Sequence, residues 1–110
     1  MPFQFRVNLE TELHRLLGRA DIAVPKPVLR ELEFLAKRDR KAQAALRLAA
    51  RYRVIESTGS ADDALLDLAT VHQAVVVTND QPLLDRLKLV GIPRIFLRSR
   101  NHLVAEGLEP

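Results

Sequence analysis

Three acidic positions in this 110-residue chain share one local setting: Glu31, the pair Asp62 and Asp63, and Asp80 each follow closely on a short apolar run. In a chain that alternates strands with helices, such positions fall at the carboxyl edge of a parallel sheet, where open α/β folds place their ligands. Carboxylates gathered there offer the hard oxygen donors that Mg²⁺ or Mn²⁺ takes, with waters and a substrate phosphate completing the shell. A metal so placed polarises a scissile phosphate, lowers the pKa of a bound water and stabilises the leaving oxygen. Crowded carboxylates also repel one another, which favours recruiting an ion.

Each acid has an ordinary structural explanation too. Glu31 and Glu33 lie at opposite borders of the apolar face of their helix, so periodicity does not choose between them. The run Ser60-Ala61-Asp62-Asp63 has capping-box spacing, which accounts for Asp63 and leaves Asp62 less readily explained. Asn79 or Asp80 suits the cap of a following helix with Pro82 in its first turn. The chemical reading therefore rests on convergence of the three positions and on no single one.

Other chemistries find little support. The absence of cysteine excludes disulfides, cysteine-ligated zinc and thiol nucleophiles. His14, His72 and His102 are scattered without zinc-ligand spacing. Neither a Gly-x-Ser-x-Gly elbow nor a phosphate-cradling glycine-rich loop occurs, which argues against serine hydrolysis and nucleotide-triphosphate turnover. No apolar run approaches the roughly 20 residues needed to cross a bilayer, and the first residues lack a signal-peptide layout, so a cytoplasmic protein with no membrane partner is expected.

Seventeen Lys and Arg against fourteen Asp and Glu give a net charge of +3. The basic residues cluster at 37–41, at Arg47, Arg51 and Arg53, and at Arg94, Arg98 and Arg100. Guanidinium forks match phosphate geometry, so these are candidate contacts to a nucleic-acid backbone, with a solvated helix face interleaved with acids as the alternative. Among them Arg30, Lys37, Arg38, Arg98 and Arg100 are the RNA-binding candidates.

The elements that position these residues follow from periodicity. Helices are predicted at 8–17, with Asn8 as cap and Gly18 as stop, and at 28–38, 40–52, 61–72 and 83–90, the last ended by Gly91. Short strands are predicted at 22–24, 53–56, 74–78 and 94–97. The three consecutive valines at 75–77 suit a strand covered on both faces. The order α-β-α-α-β-α-β-α-β implies one α/β domain over residues 1–110, with a mostly parallel sheet between helical layers.

Taken in order, Val24-Pro25, Val28-Leu29-Arg30-Glu31-Leu32, Ala61-Asp62-Asp63-Ala64-Leu65-Leu66 with Ala69, Val75-Val76-Val77-Thr78-Asn79-Asp80 with Leu83, and Gly91-Ile92-Pro93 resemble the PIN-domain ribonucleases. The Ala-Asp-Asp and Gly-Ile-Pro segments, with the ending from Leu97-Arg98 to Glu106-Gly107, most resemble the archaeal branch related to rRNA-processing endonucleases and toxin ribonucleases. The resemblance implies a three-layer α/β/α domain and an RNA endonuclease that uses Mg²⁺ or Mn²⁺. It makes Glu31, Asp62 and Asp80 the catalytic acids, and Glu31, Asp62, Asp63 and Asp80 the metal-ligand candidates with Asp63 as an alternate. Thr78 and Asn79 are then the substrate-positioning candidates, and an antitoxin or a ribosome-assembly factor is a candidate partner.

Two departures accompany the resemblance. The family's first acid lies in an Asp-x-Asn motif ending an N-terminal strand inside the sheet, and this chain opens at Met1-Pro2-Phe3 without one. The position two residues beyond Asp80, where many relatives carry another acid, is Pro82. Loss of an interior strand exposes ladder groups and apolar helix faces, so residues 1–7 or a second subunit is expected to cover them, unless the reading frame begins upstream. Three function classes follow: an RNA endonuclease, a non-catalytic RNA-binding or ribosome-assembly module of the same descent, and a receiver-like phosphate-handling domain. The third wants an acid pair after the first strand and a late lysine, and neither pattern is evident.

Overall fold

The computed structural model describes residues 9–99 and 102–108. Asn8 and residues 1–7, on which the first cap and the covering segment were expected, lie outside the described residues. The elements are α1 (Leu9–Leu17), β1 (Ala23–Pro25), α2 (Lys26–Leu35), α3 (Arg40–Ala49), β2 (Arg53–Ile55), α4 (Ala61–His72), β3 (Val76–Val77), α5 (Gln81–Val90), β4 (Arg94–Ser99) and β5 (His102–Glu106).

Local chemistry sets most of these boundaries. Pro25 is extended and carries the chain straight from β1 into α2, whose first turn holds a proline where no amide partner is needed. Asp39 caps α3 by accepting from the Lys41 amide at 2.9 Å. Ser60 Oγ accepts from the Asp63 amide at 3.1 Å and so starts α4. Asp80 caps α5, which Gly91 closes in the left-handed region at φ 75°.

β1 and β2 pair in parallel with Ala23 opposite Arg53, and β3 and β4 pair in parallel with Val76 opposite Arg94. β5 folds back antiparallel on β4, with Arg94 opposite Glu106 and an irregularity between Leu97 and Ser99. The α/β class and its parallel pairings match the expectation, with β5 added. Among the described residues, however, the strands form two sheets, β1-β2 and β3-β4-β5, and not one. Among the described residues β1 and β3 each have a single ladder neighbour.

The second sheet separates two cores. Val76 packs with Ala69, Leu83, Leu87 and Ile92 from the α4 and α5 side. Val75 packs with Leu13 and Leu16 of α1 against Ile95 and Leu103. Alternation along the strand sends neighbouring valines to opposite layers, which gives the α/β/α sandwich. Val77 departs from the expected two-sided cover: it is 43% exposed, because no described element covers that end of the α1 side.

Arg94 also departs from its sequence reading as a phosphate contact. It is only 8% exposed. Its Nη1 donates to the Ile92 carbonyl at 3.0 Å and its Nη2 to Glu106 Oε1 at 3.1 Å. The guanidinium thus ties the β4–β5 hairpin together. Arg53 is likewise committed, donating to Asp21 Oδ2 at 2.6 Å.

Candidate active site

Three strand ends deliver acids to one cleft of about 380 Å³, lined by Glu31, Asp62, Asp80 and Thr78 over an apolar floor that includes Leu32, Leu65 and Leu83. Glu31 stands in the second turn of α2, which leaves β1 directly. Asp62 is the second residue of α4, reached from β2 through residues 56–60, and Asp80 follows β3 by three residues. All three acids therefore lie beyond the carboxyl ends of parallel strands, the edge at which such sheets bind ligands.

The face of α2 that lines the cleft carries Val28, Glu31, Leu32 and Leu35, the spacing of a single helical stripe. Glu33, which periodicity alone left level with Glu31, does not line it. At the start of α4 the two aspartates part company. Asp62 lines the cleft, whereas Asp63 accepts from Arg86 Nη2 at 3.0 Å, and its amide is the one held by Ser60. The Arg86 guanidinium, and after it the Ser60 hydroxyl, hold the Asp63 carboxyl below the usual carboxylate range.

Asp80 carries two assignments at once. Its Oδ2 accepts from the Leu83 amide at 3.0 Å, which is the helix cap, while the residue also lines the cleft. Thr78 Oγ1 accepts from the Asp80 amide at 3.2 Å and braces the turn from the other side. Asn79 Oδ1 accepts from the Leu97 amide at 2.9 Å, joining the turn to β4, and Asn79 is not among the residues lining the cleft. Asp85, one turn along α5, accepts from Gln81 Nε2 and stays outside the cleft.

None of Glu31, Asp62 and Asp80 forms an ion pair among the described residues. All three line the same cleft, whose described lining includes no Lys or Arg. Hard oxygen donors of this kind match a divalent ion, and Mg²⁺ needs only one or two carboxylates when waters fill its remaining positions. The ligand set is nonetheless short: among the described residues no three His, Asp or Glu side chains gather closely enough to hold a metal ion. The cleft suits a hydrated divalent ion in donor chemistry without closing a full protein shell around it.

The candidate RNA contacts divide by location. Arg30 is exposed on α2, and Lys37 and Arg38 are exposed in the turn that follows it. Arg98 is exposed on β4, and Arg100 lies outside the described residues. The sequence reading missed two side chains of consequence here. Arg86, the partner of Asp63, gave no local signal because it lies 23 residues away. Phe34, 67% exposed beside Lys37, could have been found from its position three residues after Glu31.

A family model described as a PIN like domain matches residues 1–100. The chain is 30% identical to Ribonuclease VapC4 of Methanocaldococcus jannaschii over 96% of its own length and 88% of that protein. It is 29% identical to Ribonuclease VapC9 of Archaeoglobus fulgidus over 86% of its own length and 74% of that protein.

Proposed function

The chain belongs to the PIN-like domain family, and from that premise we propose that its cleft is the active site of a metal-dependent endoribonuclease hydrolysing RNA phosphodiester bonds. The observation that carries this reading is the delivery of Glu31, Asp62 and Asp80 from three separate strand ends to one cleft, none of them in an ion pair among the described residues. One or two of these acids, with waters filling the remaining positions, would hold the ion. When bound, Mg²⁺ or Mn²⁺ supplies Lewis-acid polarisation of the phosphate and a water of lowered pKa.

The chain's own residues do the positioning. Thr78 and the α5 amides fix Asp80, and the capped start of α4 fixes Asp62. Leu32, Leu65 and Leu83 present an apolar floor that strengthens electrostatic interactions above it by limiting water. Arg30, Lys37, Arg38 and Arg98 offer cationic heads to the RNA backbone. Asn79 acts on substrate only through the turn it secures to β4.

The test is cleavage of single-stranded RNA with Mn²⁺, repeated with EDTA and with Glu31→Gln and Asp62→Asn. Turnover that needs the metal and both acids supports the reading. Turnover indifferent to both acids refutes it. A second reading, a non-catalytic RNA-binding or ribosome-assembly module, is favoured by the lack of three converging ligands among the described residues. It predicts RNA affinity that falls with salt and no cleavage under any metal.

An antitoxin or a ribosome-assembly factor, and self-association through the edges of β1 and β3 that have no ladder partner among the described residues, are the protein partners this reading carries. Light scattering that finds only a monomer removes self-association. No helix among the described residues is long and apolar enough to cross a membrane, and we place the activity in the cytoplasm.

A further inference from the structure

Exposed apolar side chains are common and singly mean little. On this chain Val71, Leu89 and Val90 are exposed toward the ends of α4 and α5, and none of them lines the acid cleft. Phe34 differs in its surroundings. It stands three residues after Glu31, about 60° around α2 at 3.6 residues per turn, on the flank of the stripe that lines the cleft. Leu35, its neighbour in the chain, is 42% exposed and lines the cleft on the other side of Glu31.

On the side away from Glu31 the ring is bordered first by basic residues, with the exposed Glu33 beyond them. Arg30 lies four residues before Phe34 on the same helix, and Arg38 lies four residues after it in the following turn. Lys37 Nζ stands 5.9 Å from the ring centroid, within cation–π range. An aromatic ring bordered by cations, beside a row of acids, matches single-stranded RNA: a base stacks on the ring while the adjoining phosphates meet Arg30 and Lys37. A protein partner for the same patch would have to be acidic and would approach the uncompensated carboxylates of the cleft.

We propose that Phe34 is the stacking platform for a nucleobase of single-stranded RNA threaded past the cleft, with Arg30 and Lys37 holding the flanking phosphates. The proposal rests on the RNA reading above and adds a positioning residue to it. Substrate would then be chosen by whether a base next to the scissile phosphate can be splayed out, which a duplex resists.

The chain contains no tryptophan, so Phe34→Trp places a single indole reporter at the platform. In an Asp62→Asn background without divalent ions, the probes are an adenosine RNA dodecamer and a ribose-phosphate dodecamer of equal charge with no bases. Stacking predicts quenching of the indole by the first probe and not by the second. Phe34→Ala should weaken the adenosine dodecamer roughly 5- to 150-fold, the span of base–aromatic stacking, and leave the abasic probe unchanged. If the parent protein binds RNA with salt dependence while Phe34→Ala changes neither probe, the platform is refuted and the RNA reading stands. Failure of the parent to bind either probe at low salt refutes both. A fall in molecular mass with Phe34→Ala and no change in RNA affinity makes the patch a contact between copies of the chain, and overturns the proposal.

Discussion

Asp80 is asked to cap a helix and to serve the chemistry, and two substitutions separate these duties. Asparagine keeps a side-chain oxygen for the Leu83 amide and ranks with aspartate as a cap, whereas alanine keeps nothing. Asp80→Ala should therefore cost about 1 kcal/mol, within the 0.5–2 kcal/mol range for lost caps. In a domain of this size that lowers the melting temperature by roughly 4 °C. Asp80→Asn should stay near the parent in stability. For the chemistry the two should agree: groups that merely support a metal ligand cost about 10- to 100-fold when removed, so loss of the ligand itself should cost at least about 100-fold in cleavage. Thermal unfolding by circular dichroism reads the first quantity, and Mn²⁺-dependent cleavage of single-stranded RNA with calorimetric Mn²⁺ titration reads the second. Cleavage by Asp80→Asn within a few-fold of the parent would show that this acid only caps α5. Equal destabilisation by Asn and Ala would show that the cap account is wrong.

Other perturbations address neighbouring parts of the argument. A Cβ added at Gly107, where φ is +80°, would meet Arg94 Nη1 and the Pro93 Cα at 3.2 Å each; Gly107→Ala should lower stability by about 1–3 kcal/mol in a denaturant titration, and an unchanged midpoint contradicts it. Asp62→Asn should suppress cleavage, while Asp63→Asn, whose carboxyl is turned to Arg86, should leave cleavage near the parent and mainly loosen the start of α4; a reversal of the two would exchange their assignments. The carboxyls of Glu12, Asp21 and Asp63 are all held low, chiefly by hydrogen bonds from Arg15, Arg53 and Arg86 respectively. Depressed folded values mean stability that is present above the unfolded pKa values, about 4, and is lost as pH falls through the folded ones. Unfolding free energy should thus drop below about pH 4, and Arg86→Gln should reduce that drop; a rise in stability on acidification contradicts the sign.

What the sequence disclosed, and what it concealed, has a physical pattern. α4 was legible to its ends because Ser60 begins it with a local hydrogen bond, and a cap is visible in four residues. Glu31 and Glu33 were inseparable until α2 had neighbours, since a helical stripe fixes a face and not which border meets a cleft. Missing β5 led directly to the misreading of Arg94. Only with residues 102–106 folded back does Glu106 stand opposite Arg94, and without that ladder the arginine reads as one more outward cation. The valines at 75–77 misled for a related reason. Their run specifies two apolar layers, yet how far each layer extends depends on elements distant in the sequence.

The division of the strands into two sheets bears on the spacing of the acids. Glu31 and Asp62 follow strands of the first sheet, and Asp80 follows a strand of the second. Within one ladder, relative positions change only in whole-residue steps of about 3.3 Å. Between these two sheets no ladder runs among the described residues, and Leu65 of α4 packs against the cluster that holds Leu83 of α5. Side-chain volume is a fine adjustment where register is a coarse one. The leucines beneath the acids thus bear on their spacing, and a one-methylene change in that floor is expected to shift it while every carboxylate keeps its place in the chain.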